Sequence, residues 1–182
     1  MSNVLFKIFD SAGASDCLDE LNRLKILEII FPELKKMRGI GQGPYHHLDV
    51  LGHTLEAVRQ LDILFKAIID KDTNDYLNEY ICAQRMRRCL IKLGAILHDV
   101  GKPAALRRIE GKLIFHGHER AGLGLAEDIC ERLRLSNDET RSLHKMVLCH
   151  LRPGYLADND CLTARAKFRY FRDSGPDAVS VL

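Results

Sequence analysis

The feature that most constrains the fold is an apolar stretch with two strong metal ligands at its end. The second half of a predicted helix over residues 76–99 is apolar on nearly every side except Lys92, and it runs into His98-Asp99 within "ILHDVGKP". A helix that is apolar all round has to be enclosed by other elements, so this segment predicts a central helix with a bundle around it. Val100-Gly101 should end the helix, with glycine in the left-handed conformation that suits the residue just past a helix end. The adjacent His and Asp are thereby placed at the mouth of the bundle, where water and substrate can reach them. Lys102 follows at once, a cation well placed for a phosphate oxygen.

The rest of the chain reads as helices of the right kind to form that enclosure. Helical period predicts a short amphipathic helix over 21–30 and a long helix over 49–69 with Asp49 as N-cap. Further helices are predicted over 119–134 and from a Ser136-x-x-Glu139 capping box to about Leu151. A basic helix is predicted over 163–172, and a further one opens after Pro176. Residues 39–44 are a glycine-rich loop, 70–75 a polar turn, and Pro153-Gly154 a helix stop; 112–116 could be extended. No alternating strand pattern of useful length is present, so the expected class is all-α.

Three histidines are predicted to point inward from three different helices. At about 100° per residue His53 shares a face with Val50, Ala57, Leu61 and Leu64, and His150 with Leu143, Met146 and Val147. His98 ends the central helix. Burying several imidazoles and a carboxylate without partners is expensive, and one divalent ion relieves that cost for all of them. His with Asp suits Mn, Fe, Co, Ni or Zn, and Mg less well.

Composition excludes several alternatives. The net charge of +2 over 182 residues makes no case by itself for nucleic acid. No apolar run is long enough to span a bilayer and the N-terminus lacks a signal-peptide pattern. The six cysteines are scattered without a Cys-x-x-Cys pair, as expected for reduced thiols in a cytoplasmic protein. The one local charge feature is Arg165, Lys167, Arg169 and Arg172 interleaved with Phe168, Tyr170 and Phe171. It is either an amphipathic helix with a solvated basic side or a surface for RNA phosphates and bases.

These residues resemble the HD superfamily of metal-dependent phosphohydrolases, helical bundles whose ligands are a first His, an adjacent His-Asp and a distal Asp. His53 in "GHTLEAV" and His98-Asp99 in "AILHDVGKP" match the first three positions. His118 in "FHGHERAG" and His150 in "LCHLRPG" match histidines that enlarge the site in many members. His116 is a candidate either to support the ligands from behind or to contact substrate, and His144 is a candidate surface residue. Residues 29–58 and 115–139 are further similar to the HD portion of bacterial tRNA nucleotidyltransferases and poly(A) polymerases. The resemblance implies a divalent metal held by His53, His98, Asp99, His118 and His150, with Asp99 and Lys102, and less firmly Arg120, acting on a nucleotide or phosphoester substrate. It also implies a boundary: 1–45 as a segment like the RNA-binding neck of those proteins, and 46–182 as the HD domain. The glycine-led Asp-x-Asp motif of nucleotidyl transfer has no match, so nucleotide addition is not expected. The distal Asp is expected beyond residue 182 rather than at Asp158 or Asp160. The alternative expectation is a non-catalytic RNA-binding module of a larger RNA-processing protein. Oligomeric state is left open.

Overall fold

Asp49 accepts a hydrogen bond from the Gly52 N–H at 2.7 Å and so opens the longest helix where the sequence places its cap. The computed structural model describes residues 2–43, 47–82, 85–157 and 162–181. In chain order it contains α1 (Ser2–Asp10), α2 (Ala14–Arg23), α3 (Leu27–Ile30), a 3-10 segment (Pro32–Met37), α4 (Val50–Ala67) and α5 (Lys71–Asn78). A hairpin of β1 (Tyr80–Cys82) and β2 (Arg85–Met86) leads to α6 (Arg87–Leu97) and α7 (Lys102–Ala105). A second hairpin of β3 (Arg107–Ile109) and β4 (Lys112–Ile114) leads to α8 (His118–Arg132), α9 (Asn137–Cys149), α10 (Arg152–Ala157) and α11 (Ala164–Ser174). A second 3-10 segment (Gly175–Asp177) ends in α12 (Ala178–Val181). The fold is helical, and its strands form only these two antiparallel pairs among the described residues.

α6 is the central helix: Leu90, Leu93, Ile96 and Leu97 have no exposed surface, and α1, α4, α5 and α9 pack around it. Phe9, Leu18, Leu27, Phe31, Leu34 and Met37 belong to the same apolar cluster as Val50, Leu90 and Val147. Lys92, the charge in the middle of α6, is buried against Asp62 of α4 at 2.7 Å and donates to the Ser11 carbonyl at 3.0 Å. The Ser15 N–H donates to Asp62 at 2.8 Å, so one buried ion pair ties the α1–α2 turn to α4 and α6. Burial alone would raise the Asp62 pKa, but Lys92 and Ser15 outweigh it and hold the carboxyl below its ordinary value.

Several boundaries differ from expectation. The central helix begins at Arg87, not near residue 76, because α5 and the β1–β2 hairpin occupy the first part of that stretch. Nothing like Gly or Pro marks the break; Arg87 is held there by Asp177 at 3.0 Å, Glu79 at 2.7 Å and the Tyr76 ring. Residues 70–75 are not simply a turn, since Asp70 caps α5 through the Thr73 N–H. The helix expected over 21–30 is interrupted at Lys25, whose φ is 61°. Pro153-Gly154 does not mark a stop: α9 ends at Cys149 and Pro153 falls in the first turn of α10, where a missing N–H costs little. The Ser136–Glu139 capping box forms as predicted.

The C-terminal segment is fastened by Asp177. It accepts from Arg87 at 3.0 Å and from the Ser142 hydroxyl at 2.6 Å, with Lys145 3.6 Å away. Tyr76 adds a bond to the Pro176 carbonyl at 2.9 Å. α12 then lines, through Ser180 and Val181, a cleft that it shares with His53, His98 and His150.

Candidate metal centre

The four helices that meet at this end of the bundle each deliver one histidine. His53 lies in the first turns of α4, His98 just past the end of α6, His118 at the start of α8, and His150 just past the end of α9. The last carbonyls of a helix have no partner within it. His98 Nδ1 lies 2.7 Å from the Ala95 carbonyl and His150 Nδ1 2.7 Å from that of Val147; His118 repeats the bond to Phe115 at 2.8 Å. A carbonyl only accepts, so each Nδ1 carries the proton and each ring presents Nε2 inward. This is the tautomer a metal ligand needs.

The Nε2 atoms converge on Asp99. Its Oδ2 lies 3.0 Å from His98 Nε2, 3.7 Å from His53 Nε2 and 2.7 Å from Lys102 Nζ. Its Oδ1 lies 3.1 Å from His118 Nε2 and 3.7 Å from His150 Nε2. Two sets, His53–His98–Asp99 and Asp99–His118–His150, have donor atoms within 4.8 Å of one another and share the aspartate. Asp99 is 1% exposed, and neither oxygen has a partner with full hydrogen-bond geometry despite these close approaches. A buried bidentate carboxylate without proper donors, ringed by inward Nε2 atoms, fits one or two divalent cations.

The electrostatics point the same way. Burial alone would raise the Asp99 pKa, but His118, His98 and Lys102 outweigh it and hold the carboxyl well below the usual range, so it is ionised. Burial, with the neighbouring His98 adding to it, pushes the His150 imidazole down to about 4. His118 moves the other way: burial opposes its protonation, but Asp99 and the Phe115 carbonyl favour it. The two Nε2 atoms of His118 and His150 stand 3.1 Å apart, both aimed at the same oxygen of Asp99.

Gly101 makes this convergence possible. Its φ of −82° is right-handed, contrary to the expected left-handed cap, so its backbone does not require glycine. The requirement is steric: a Cβ there would fall 2.1 Å from the His118 carbonyl oxygen and 2.4 Å from the Gly122 nitrogen. The absence of a side chain lets α8 lie against the turn after Asp99. Gly94 likewise lets α6 approach Met146 of α9, where a Cβ would lie 2.6 Å from its sulfur.

Two clefts of about 640 Å³ each open onto the centre. One is lined by His53, Leu61, Leu64, His98, His150 and Ser180. The His53 stripe of α4 thus faces this cleft and not the core as expected; the buried face of α4 is Val50, Leu51, Thr54, Leu55 and Val58. The other is cationic, lined by Lys102, Phe115, His118, Arg120, Arg152 and Tyr155. His116 lines it too and is exposed. His144 lies elsewhere, paired with Glu127 at 2.8 Å in a hollow of about 770 Å³ between α8 and α9. Sequence reasoning missed Gln42, which accepts from Lys102 Nζ, and Arg152 and Tyr155, which reach the cleft from a helix it did not expect. Asp158, Asp160 and His46 lie outside the described residues.

A helical bundle with a His, an adjacent His-Asp and further histidines at one end defines a class, and the chain belongs to it: the HD domain family matches residues 45–173. Its relatives are more particular. It is 30% identical over 180 residues to the A-adding tRNA nucleotidyltransferase of Deinococcus radiodurans, covering 98% of this chain and 36% of that protein. It is 29% identical over 151 residues to the CC-adding tRNA nucleotidyltransferase of Thermus thermophilus, covering 81% of this chain and 30% of that one. A Multifunctional CCA protein of Shewanella denitrificans is 32% identical over 114 residues, 62% of this chain and 22% of the relative. The chain therefore spans little more than a third of these relatives at most. No helix among the described residues is long and apolar enough to cross a membrane.

Proposed function

We propose that the chain is a metal-dependent phosphohydrolase module of the HD type, associated with tRNA end processing and acting in the cytoplasm. Its substrates on this reading are phosphomonoesters or cyclic or linear phosphodiesters of nucleotides or RNA ends. The observation that carries the proposal is the ionised, buried Asp99 with the inward Nε2 atoms of His98, His118 and His150 and the nearby His53 around its two oxygens.

His53, His98, Asp99, His118 and His150 would hold one or two divalent ions. Such an ion lowers the pKa of a bound water and polarises a phosphoryl oxygen. The carbonyls of Ala95, Phe115 and Val147 keep the imidazoles in the ligating tautomer without further reorganisation. Lys102, held beside Asp99 by Gln42, faces the cationic cleft and neutralises charge on a phosphoryl group there. Arg120, exposed at the same rim, meets a second anionic group. Residues 1–45, whose helices share the HD core, would serve as a neck toward RNA.

Metal analysis of the purified protein tests the reading, followed by hydrolysis of a chromogenic phosphodiester and of 2′,3′-cyclic nucleotides with Mn, Co or Ni. Metal-dependent turnover lost in Asp99→Asn is expected. Absence of bound metal together with no metal-stimulated hydrolysis would overturn it.

A further inference from the structure

α11 turns two of its three aromatic side chains outward. Only Tyr170 and Ser174 of its residues are buried, while Phe168 and Phe171 are 66% and 62% exposed. A basic amphipathic helix that merely covers a core would bury its phenylalanines and solvate its cations. Here both kinds of side chain face solvent. Phe168 and Phe171 are three residues apart, with Arg165 three before Phe168 and Arg172 four after it, so all share one side of the helix.

The charge on this side is largely uncompensated. Arg165, Lys167 and Arg169 are exposed and form no ion pair among the described residues. Asp173, the one acid of the helix, is taken up by Arg172 at 2.6 Å and by Arg152. The Arg152–Asp173 pair also joins the end of α11 to the start of α10. Arg152 and Tyr155 of α10 line the cationic cleft with Lys102 and His118. The surface and the cleft therefore meet at one ion pair.

We propose that this face of α11 is a contact surface for single-stranded RNA, leading toward the cleft beside His118. Bases stack on Phe168 and Phe171, and Arg165, Lys167 and Arg169 follow the phosphates. A polyanion with flat bases matches both halves of the surface at once. An apolar protein partner would have to bury three uncompensated cations, which is costly. The proposal deepens the reading of the HD site by giving its substrate a polynucleotide character, yet binding here needs neither metal nor hydrolysis.

The test is fluorescence anisotropy of a labelled single-stranded RNA dodecamer with the full chain in metal-free buffer, over a series of salt concentrations. Because no turnover is read, failure of the hydrolase reading leaves this result intact, and the reverse also holds. Phe168→Ala/Phe171→Ala and Arg165→Glu/Arg169→Glu should each weaken binding at least about tenfold. The charge variant should also flatten the salt dependence, since each phosphate contact on a single strand contributes a slope of about −0.7. Lys7→Glu/Lys66→Glu, an equal charge change on other exposed positions, should alter affinity less than about threefold. RNA affinity unchanged in both α11 variants would overturn the proposal. So would a loss confined to self-association in sedimentation, or to anionic vesicles, with RNA binding intact.

Discussion

Replacing Gly101 by alanine separates a local from a tertiary explanation of the His-Asp turn. At φ −82° and ψ −11° the backbone accepts any L residue, so local propensity alone predicts that alanine stabilises by about 0.4–1 kcal/mol. The packing predicts the opposite. The new Cβ would start 2.1 Å from the His118 carbonyl oxygen, 2.4 Å from the Gly122 nitrogen and 2.9 Å from its Cα, and ordinary contact begins at 3.4 Å. All three atoms are backbone, so α8 itself has to withdraw. Overpacking of this kind costs about 1–3 kcal/mol, and a rigid neighbour puts the value near the top of that range. The net loss is roughly 2 kcal/mol, or a fall in Tm of roughly 4–8 °C for a chain of this size. The same withdrawal carries His118 away from Asp99, now 3.1 Å distant. Metal sites tolerate only about 0.2 Å in ligand distance, so affinity for Mn or Ni should fall at least about tenfold by calorimetric titration. Gly101→Asn sharpens the test: a left-handed cap would accept asparagine, whereas close approach makes it worse than alanine. A Gly101→Ala protein that melts at or above the parent and binds metal within twofold would refute the packing argument.

Other outcomes follow from the same geometry. Asp99→Asn should reduce metal affinity by more than the roughly 10–100-fold typical of changes behind the ligands, with helical content unchanged by circular dichroism; retained metal-dependent turnover would sink the site assignment. Lys92→Met should destabilise by about 3–5 kcal/mol in urea melts because it leaves Asp62 buried and uncompensated, and Lys92→Met/Asp62→Asn should recover part of that; a loss below about 1 kcal/mol would show that the pair matters little. His150 titrates near 6.5 when unfolded and is pushed down to about 4 when folded, so between those values the unfolded chain binds more protons and this group lowers stability as pH falls. His118 contributes with the opposite sign. In metal-free protein, His150→Gln should therefore lose less stability than the parent between pH 6.5 and about 4; identical pH profiles would contradict it.

Patterns set by short-range chemistry were readable from the chain. The Asp49 and Ser136 caps are local hydrogen bonds, and a helix apolar on nearly all sides can only lie inside others, so the bundle, its centre and the His98-Asp99 mouth followed from residue types alone. The ordered recurrence of His53, His98-Asp99, His118 and His150 carried the family. Boundaries set by partners distant in sequence were not readable: Arg87 at the start of α6 is held by Asp177, ninety positions away, as well as by Glu79 and Tyr76, and no Gly or Pro marks the break. The exposed side of α4 was not readable either, since helical period shows which residues share a face but not whether a cleft or a core lies opposite. Gly101 makes the distinction clearest. The sequence determined that a glycine follows the His-Asp pair, and the expected cause was backbone handedness. Only the tertiary structure decided that the cause is the approach of α8, because steric exclusion between segments has no signature in the local order of residues.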